Sequence, residues 1–270
     1  MDNRPIGIFD SGIGGLTSIP YIMQRLPEEQ IIFFGDTARA PYGSKSVETI
    51  RHFSLQIAQF LEKHHVKMIV IACNTVSATC IDLLRAHYPD IPVIGVISPT
   101  SKVVSMQCGE GSRVGVIATR ATVKSRAYEK NIRRRSPALP VYSKACPAFV
   151  PLIEEGIIDS YIMELTIRHY LDDFLKAHQI TDLVLGCTHY PFIAHKIQNL
   201  YPDIRIISSS EEVSMAVEIE LKKRNLLSEK RQEEHLFFAS DISRDFINMV
   251  RRISFGKREI ASIKFHNLDI

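Results

Sequence analysis

The chain of 270 residues has no long apolar segment and little excess of charge of either sign. Its longest uninterrupted apolar run, residues 68–73, is far shorter than the ~20 residues that cross a bilayer. The polar start at residues 1–4 is unlike a signal peptide. With 33 basic and 30 acidic residues the net charge is only +3, which argues against nucleic acid as a partner. We therefore expect a cytoplasmic globular protein with neither a nucleic-acid nor a membrane partner.

The five cysteines, at positions 73, 80, 108, 146 and 187, lack any short paired spacing. An odd count without close pairs argues against a secreted disulfide framework and against a zinc ribbon. We therefore expect reduced thiols and no bound metal. With 45% apolar and 23% charged residues, the composition is that of an ordinary globular enzyme with a sizeable core.

Short apolar runs alternate with amphipathic stretches along the first third of the chain. Strands are predicted at residues 6–9, 31–34 and 68–72, where consecutive apolar residues are typical of strands buried on both faces. Residues 46–62 carry one apolar stripe and begin with Ser46, which predicts a helix with a serine N-cap. Strands that alternate with helices indicate an α/β fold with parallel sheets.

The sequence also resembles itself at a nearly constant offset. The tetrapeptide Tyr-Pro-Asp-Ile occurs at 88–91 and again at 201–204, an offset of 113. The apolar segment that ends at Cys73 resembles the one that ends at Cys187, an offset of 114. Residues 7–9 resemble residues 115–117, an offset of 108. Three matches in the same order indicate two homologous halves.

The repeat places Cys73 and Cys187 at equivalent points, each after a strand and before the start of a helix. Because parallel sheets bind ligands at the carboxyl ends of their strands, a cleft between facing halves would be lined by both thiols. Unpaired backbone N–H groups at a helix start favour a thiolate. Most free cysteines are nevertheless small buried side chains, which is our interpretation of Cys80, Cys108 and Cys146.

Two other functions fit these residues. A cysteine hydrolase would pair Cys187 with His189, the histidine nearest to it in sequence. A non-catalytic module could bind small carboxylates in the same cleft. Neither is excluded by residue types and spacing alone.

Polar residues also follow the other predicted strands. Asp10 and Ser11 end the first strand and lead into a glycine-bearing turn that is neither a dinucleotide fingerprint nor a P-loop. Asp36 follows the second strand, and Glu154 follows an apolar stretch that contains proline. Each of these could equally belong to a tight turn or to a solvated helix start.

Four segments together resemble the cofactor-independent aspartate/glutamate racemase superfamily, and its glutamate branch in particular. They are GIFDSGIGG at 7–15, DTARAPYG at 36–43, ACNT at 72–75 and GCTHYP at 186–191. The resemblance covers almost the whole chain and implies two pseudo-twofold-related α/β domains. Each domain would hold a mostly parallel sheet flanked by helices, with the active site in the cleft between them. The expected domains are residues 1–97 together with 208–270, and residues 98–207.

The resemblance implies an amino-acid racemase, an isomerase that interconverts L- and D-glutamate without cofactor or metal and supplies D-glutamate for peptidoglycan. It implies that Cys73 and Cys187 are the acid and base, assisted by Asp10 and His189, with Asp36 and Glu154 as further catalytic polar groups. Glutamate is the expected small-molecule partner, and a homodimer is the expected assembly. The residues expected to bind the substrate are Asp10, Ser11, Pro41, Tyr42, Gly43, Cys73, Asn74, Thr75, Thr119, Cys187, Thr188 and His189.

Overall fold

Two parallel β-sheets flanked by helices make up the computed structural model, which describes residues 1–230, 234–254 and 262–268. The strands are β1 (Ile6–Asp10), β2 (Ile31–Gly35), β3 (Met68–Ile71), β4 (Val93–Gly95), β5 (Val114–Ala118), β6 (Val141–Ala145), β7 (Asp182–Gly186), β8 (Arg205–Ser208), β9 (Leu236–Ala239) and β10 (Ser262–Phe265). The first sheet has the order β10-β9-β2-β1-β3-β4, and the second has the order β6-β5-β7-β8.

Eleven α-helices connect and cover the strands within the described residues. They are α1 (Ile19–Arg25), α2 (Val47–Lys63), α3 (Asn74–His87), α4 (Ile97–Gln107), α5 (Arg120–Ser125), α6 (Ala127–Arg135), α7 (Phe149–Glu154), α8 (Tyr161–His178), α9 (Ala194–Leu200), α10 (Ser209–Lys223) and α11 (Arg244–Ser254). Short 3-10 helices lie at Gly14–Ser18, Thr37–Arg39, Tyr42–Ser44 and Tyr190–Ile193. No helix in the described parts of the chain is both long and apolar enough to span a membrane.

The self-resemblance of the sequence corresponds to a repeated topology. Strands β1 to β4 are ordered β2-β1-β3-β4, and strands β5 to β8 are ordered β6-β5-β7-β8 in the same way. The register repeats too, because Gly7 pairs with Ile69 in the first sheet and Gly115 pairs with Leu183 in the second. We call β1–β4 with their helices the first half, and β5–β8 with theirs the second half.

The locally predicted elements are confirmed with small shifts at their ends. The first two strands extend by one residue, to Asp10 and Gly35, and the third ends one residue early, at Ile71. Helix α2 begins at Val47, and the side chain of Ser46 caps it by accepting a hydrogen bond from the backbone N–H of Thr49 at 3.2 Å.

The core extends over both faces of each sheet. One apolar cluster is shared by the two halves, and α10 contributes Val213, Val217 and Leu221 to it from a single face of the helix. Separate clusters cover the far face of the first sheet, against α2 and α3, and the far face of the second sheet, against α8. The shared cluster joins the halves through packed side chains, so the carboxyl ends of their strands are held in a fixed relation.

After α10 the chain returns to the first sheet, where β9 pairs with β2 and β10 pairs with β9, all in parallel. Residues 231–233, 255–261 and 269–270 of the expected first domain lie outside the described residues. The exact domain bounds stay a prediction, whereas the α/β class with two parallel sheets is confirmed.

Candidate active site

The two thiols predicted to face each other line one cavity. Cys73 lies two residues after the end of β3 and is the N-cap of α3, and Cys187 lies directly after β7. The two residues are 4% and 5% exposed, and both line one small cavity. The full lining is Ser11, Ala40, Pro41, Tyr42, Gly43, Cys73, Asn74, Thr75, Thr119, Val150, Glu154, Cys187, Thr188 and His189.

Burial and a nearby carboxylate keep the sulfur of Cys73 protonated, although a hydrogen bond from Ser11 opposes them. The hydroxyl of Ser11 lies 3.3 Å from its Sγ. Burial, and then the negative charge of Asp10, raise the pKa of Cys73 to about 12. The backbone N–H of Val76 in α3 favours the thiolate as expected, but burial outweighs it, so the expected net lowering of the pKa is wrong for Cys73.

Asp10 lies behind the lining rather than in it, and its carboxylate is fully buried. It accepts hydrogen bonds from the N–H of Gly12 at 3.0 Å and from the hydroxyl of Thr188 at 3.3 Å. Burial raises the pKa of Asp10 to about 6, although the charge of His189 and the hydrogen bonds oppose that shift. Asp10 thus links the Cys73 side of the cavity to a residue adjacent to Cys187.

The surroundings of Cys187 carry the opposite charge. The Nδ1 of His189 lies 4.0 Å from the Sγ of Cys187, and the Nε2 of His189 lies 3.1 Å from Oε1 of Glu154. Burial alone would lower the pKa of His189, but Cys187 and Glu154 as hydrogen-bond partners, with the charge of Asp10, raise it to about 10. A protonated imidazole donates from both nitrogens, so it fits between these two acceptors.

Hydroxyl groups from both halves meet at the cavity wall. Thr75, in the first turn of α3, lies 2.9 Å from Thr119 between their Oγ1 atoms, and Thr119 caps α5. A Cβ on Gly43 would approach Thr119 to 2.6 Å, so the loop after β2 needs glycine there to lie against the second half. The cavity is therefore closed by direct contacts between the halves.

Asp36 does not line the cavity, and its expected catalytic role stays a prediction. Its buried carboxylate accepts hydrogen bonds from Nε of Arg39 at 2.7 Å, from the hydroxyl of Ser240 at 2.7 Å and from the hydroxyl of Tyr42. Tyr42 does line the cavity, so a hydrogen bond links Asp36 to the cavity wall.

Comparison with known proteins identifies the family. Residues 19–216 match the profile of the Asp/Glu/hydantoin racemase family. This chain belongs to that family. A glutamate racemase of Geobacter metallireducens is 43% identical over 259 residues, which cover 95% of each chain. A glutamate racemase of Chlorobaculum tepidum is 45% identical over 252 residues, 92% of each chain.

Solved structures of family members have the same fold. The crystal structure of glutamate racemase from Francisella tularensis subsp. tularensis SCHU S4, in complex with D-glutamate, matches with a TM-score of 0.91. The two sequences are 41% identical, and the match covers 100% of this chain and 99% of that one. The predicted family, fold class and enzyme class, an amino-acid racemase, are thereby confirmed.

Within this racemase fold, the cavity holds every residue that we expected to bind substrate except Asp10. The sequence analysis missed Ala40 and Val150, which also line it. Both are apolar residues without a reactive or hydrogen-bonding side chain, so their residue types do not indicate a site. Ala40 lies within the segment 36–43, and Val150 lies in the apolar stretch that precedes Glu154. In the parts of the chain that the structure covers, no three His, Cys, Asp or Glu side chains are grouped as metal ligands would be.

Proposed function

We propose that this chain is a glutamate racemase that inverts the α-carbon of glutamate with two thiols, Cys73 and Cys187. The observation that carries the proposal is that both thiols reach one cavity from the ends of equivalent strands in the two halves. Further support comes from the relatives named glutamate racemase and from the neighbour that holds D-glutamate.

Racemisation requires that a proton leave one face of the α-carbon and that another arrive on the opposite face. Two groups on opposite sides, one deprotonated and one protonated, can do this without moving the substrate. Burial and Asp10 keep Cys73 protonated. His189 lies 4.0 Å from Cys187, within reach of that thiol. Cys73 delivers the proton when Cys187 removes one, and the roles reverse for the other enantiomer.

The negative charge that develops on the substrate must be stabilised by fixed donors. Without a cofactor this charge spreads into the α-carboxylate, so donors must be aimed there before the reaction begins. The backbone N–H groups at the start of α3 and the side chains of Asn74, Thr75 and Thr119 are the candidates in the cavity wall. Loss of one such donor costs on the order of a hundredfold in rate.

The test is proton exchange in heavy water with Cys73→Ser and Cys187→Ser. The unmodified protein, without added cofactor, should racemise L- and D-glutamate and exchange the α-proton of both, followed by circular dichroism and proton NMR. Each variant should lose racemisation by about a hundredfold or more. Each should retain exchange of a different enantiomer, because each thiol removes the proton in one direction.

Cys80→Ser is the matched control, since Cys80 is a fully buried thiol that does not line the cavity. Racemisation at the unmodified rate by either active-site variant would contradict the two-thiol assignment. A covalent acyl adduct in the mass spectrum would indicate a cysteine hydrolase instead. Glutamate binding with no exchange in the unmodified protein would indicate a binding module.

The proposal includes a cytoplasmic homodimer that supplies D-glutamate for peptidoglycan. It is supported by the resemblance of the four segments to the glutamate branch of the family. Light scattering on the purified protein should give a mass near twice 30.6 kDa. Cells that lose the protein should need external D-glutamate to build their walls.

A further inference from the structure

Three buried polar side chains from three different elements form a chain of hydrogen bonds beside Cys73. The hydroxyl of Tyr128, on α6, lies 2.6 Å from Oδ1 of Asn74, the first residue of α3. Nδ2 of Asn74 lies 3.3 Å from Oγ of Ser209, the first residue of α10. Ser209 in turn donates to the carbonyl oxygen of Leu185 at 3.3 Å. Tyr128, Asn74 and Ser209 are at most 2% exposed.

The hydrogen bonds of the structure define the orientation of the Asn74 carboxamide. Ser209 donates its single proton to the carbonyl of Leu185 and accepts a hydrogen bond from Asn74. The Asn74 atom next to Ser209 is therefore the nitrogen. Its oxygen then lies next to Tyr128, whose hydroxyl must donate.

This orientation leaves one N–H of Asn74 for the cavity. Among the described residues, Nδ2 donates only to Ser209, and a carboxamide nitrogen carries two hydrogens. Asn74 lines the cavity and follows Cys73 directly, so its second N–H can reach an anionic group of a ligand. A flipped carboxamide would turn its oxygen to the same place and repel a carboxylate.

We propose that Tyr128 and Ser209 are positioning residues, which hold Asn74 so that it presents an N–H and not an oxygen to a carboxylate of glutamate. The inference rests on the proposed function and names two residues that do not themselves line the cavity. Leu185 lies two residues before Cys187, and Tyr128 belongs to the second half. A donor beside Cys73 is thus oriented by the half that carries Cys187.

The experiment is a double-mutant cycle of Tyr128→Phe and Asn74→Ala, with kcat and KM measured for L- and D-glutamate. Tyr128→Phe should raise KM about tenfold for both enantiomers, as expected for one weakened hydrogen bond to a charged group. In the Asn74→Ala background the same change should alter KM by less than about twofold, because Tyr128 acts through Asn74. Ser209→Ala should raise KM in the same direction as Tyr128→Phe.

Two variants control for the loss of a hydroxyl elsewhere in the fold. Ser54→Ala removes a fully buried hydroxyl that donates to the carbonyl of Ile50, and Tyr201→Phe removes one that donates to Asp172. Both should keep KM within about twofold of the original value. A purely structural role for Tyr128 would lower Tm and the active fraction and leave KM unchanged.

An unchanged KM in Tyr128→Phe would overturn the inference. So would a KM in the double variant that is raised by the product of the two single-variant effects. Neither result would touch the proposed function. An unmodified protein that does not racemise glutamate would overturn the proposed function, and the inference with it. The kinetics of the unmodified protein therefore separate the two failures.

Discussion

Gly14 lies where the loop after β1 meets the second half, and it offers a direct test of the site geometry. A Cβ added there would lie 2.4 Å from Oγ1 of Thr188 and 2.5 Å from Nδ1 of His189. Because non-bonded atoms rest at about 3.5 Å, these groups would have to move by about 1 Å. A displacement of that size in reacting groups costs about a hundredfold in rate.

Gly14→Ala should therefore lower kcat/KM for both enantiomers of glutamate by about a hundredfold. Its φ angle is not in the left-handed region, so alanine fits the backbone of the 3-10 helix that it begins. The fold should then persist, which far-ultraviolet circular dichroism and Tm would verify.

Gly109→Ala is the matched control, because no atom lies within 4 Å of a Cβ at that position. Its activity should match that of the unmodified protein. If Gly14→Ala folds and keeps kcat/KM within about twofold of the original, the close approach of Gly14 to His189 does not govern the site, and the reasoning from this geometry is wrong.

Two further predictions concern buried charges. Lys67→Met should lower the free energy of unfolding, measured in urea, by about 3–5 kcal/mol, because it leaves Glu29 buried without the ammonium that lies 2.6 Å away. The double variant Lys67→Met/Glu29→Leu should recover much of the lost stability. A loss below about 1 kcal/mol in the single variant would contradict the prediction. Asp10 has its pKa raised to about 6 in the folded protein from an ordinary 3.8, so its contribution to stability is present at low pH and is lost as the pH rises through about 6. Between pH 5 and pH 7.5, urea unfolding should show the unmodified protein losing about 1 kcal/mol more than Asp10→Asn, and equal losses would refute the raised pKa.

The parts of the structure that were predicted correctly depend on local sequence. Apolar runs fixed the first three strands to within one residue, and Ser46 marked the start of α2 because a capping side chain bonds to a backbone N–H three residues away. The repeat extended this local information across the chain. Because similar segments adopt similar structures, the sequence alone places Cys73 and Cys187 at equivalent strand ends.

Contacts between distant segments could not be predicted in this way. Asp36 was expected among the catalytic groups with no partner named, yet its partner Ser240 is 204 residues away and reaches it because β9 pairs with β2. The pairing of β9 with β2 depends on the packing of the complete sheet, and neither the periodicity nor the composition of the sequence indicates which strands become neighbours. The apolar lining residue Val150 was missed for a similar reason, since only the path of α7 brings it to the cavity.

The repeat does not extend to the charged groups around the two thiols. It duplicates strands and registers, but the side chains around each sulfur are not duplicated. Ser11 and the carboxylate of Asp10 lie near Cys73, whereas His189, itself held by Glu154, lies near Cys187. The duplicated backbone therefore accounts for the equivalent positions of the two thiols, and the unduplicated side chains account for the different charges around them. In the proposed reaction, which needs one proton donor and one proton acceptor, this difference would set the two sulfurs apart.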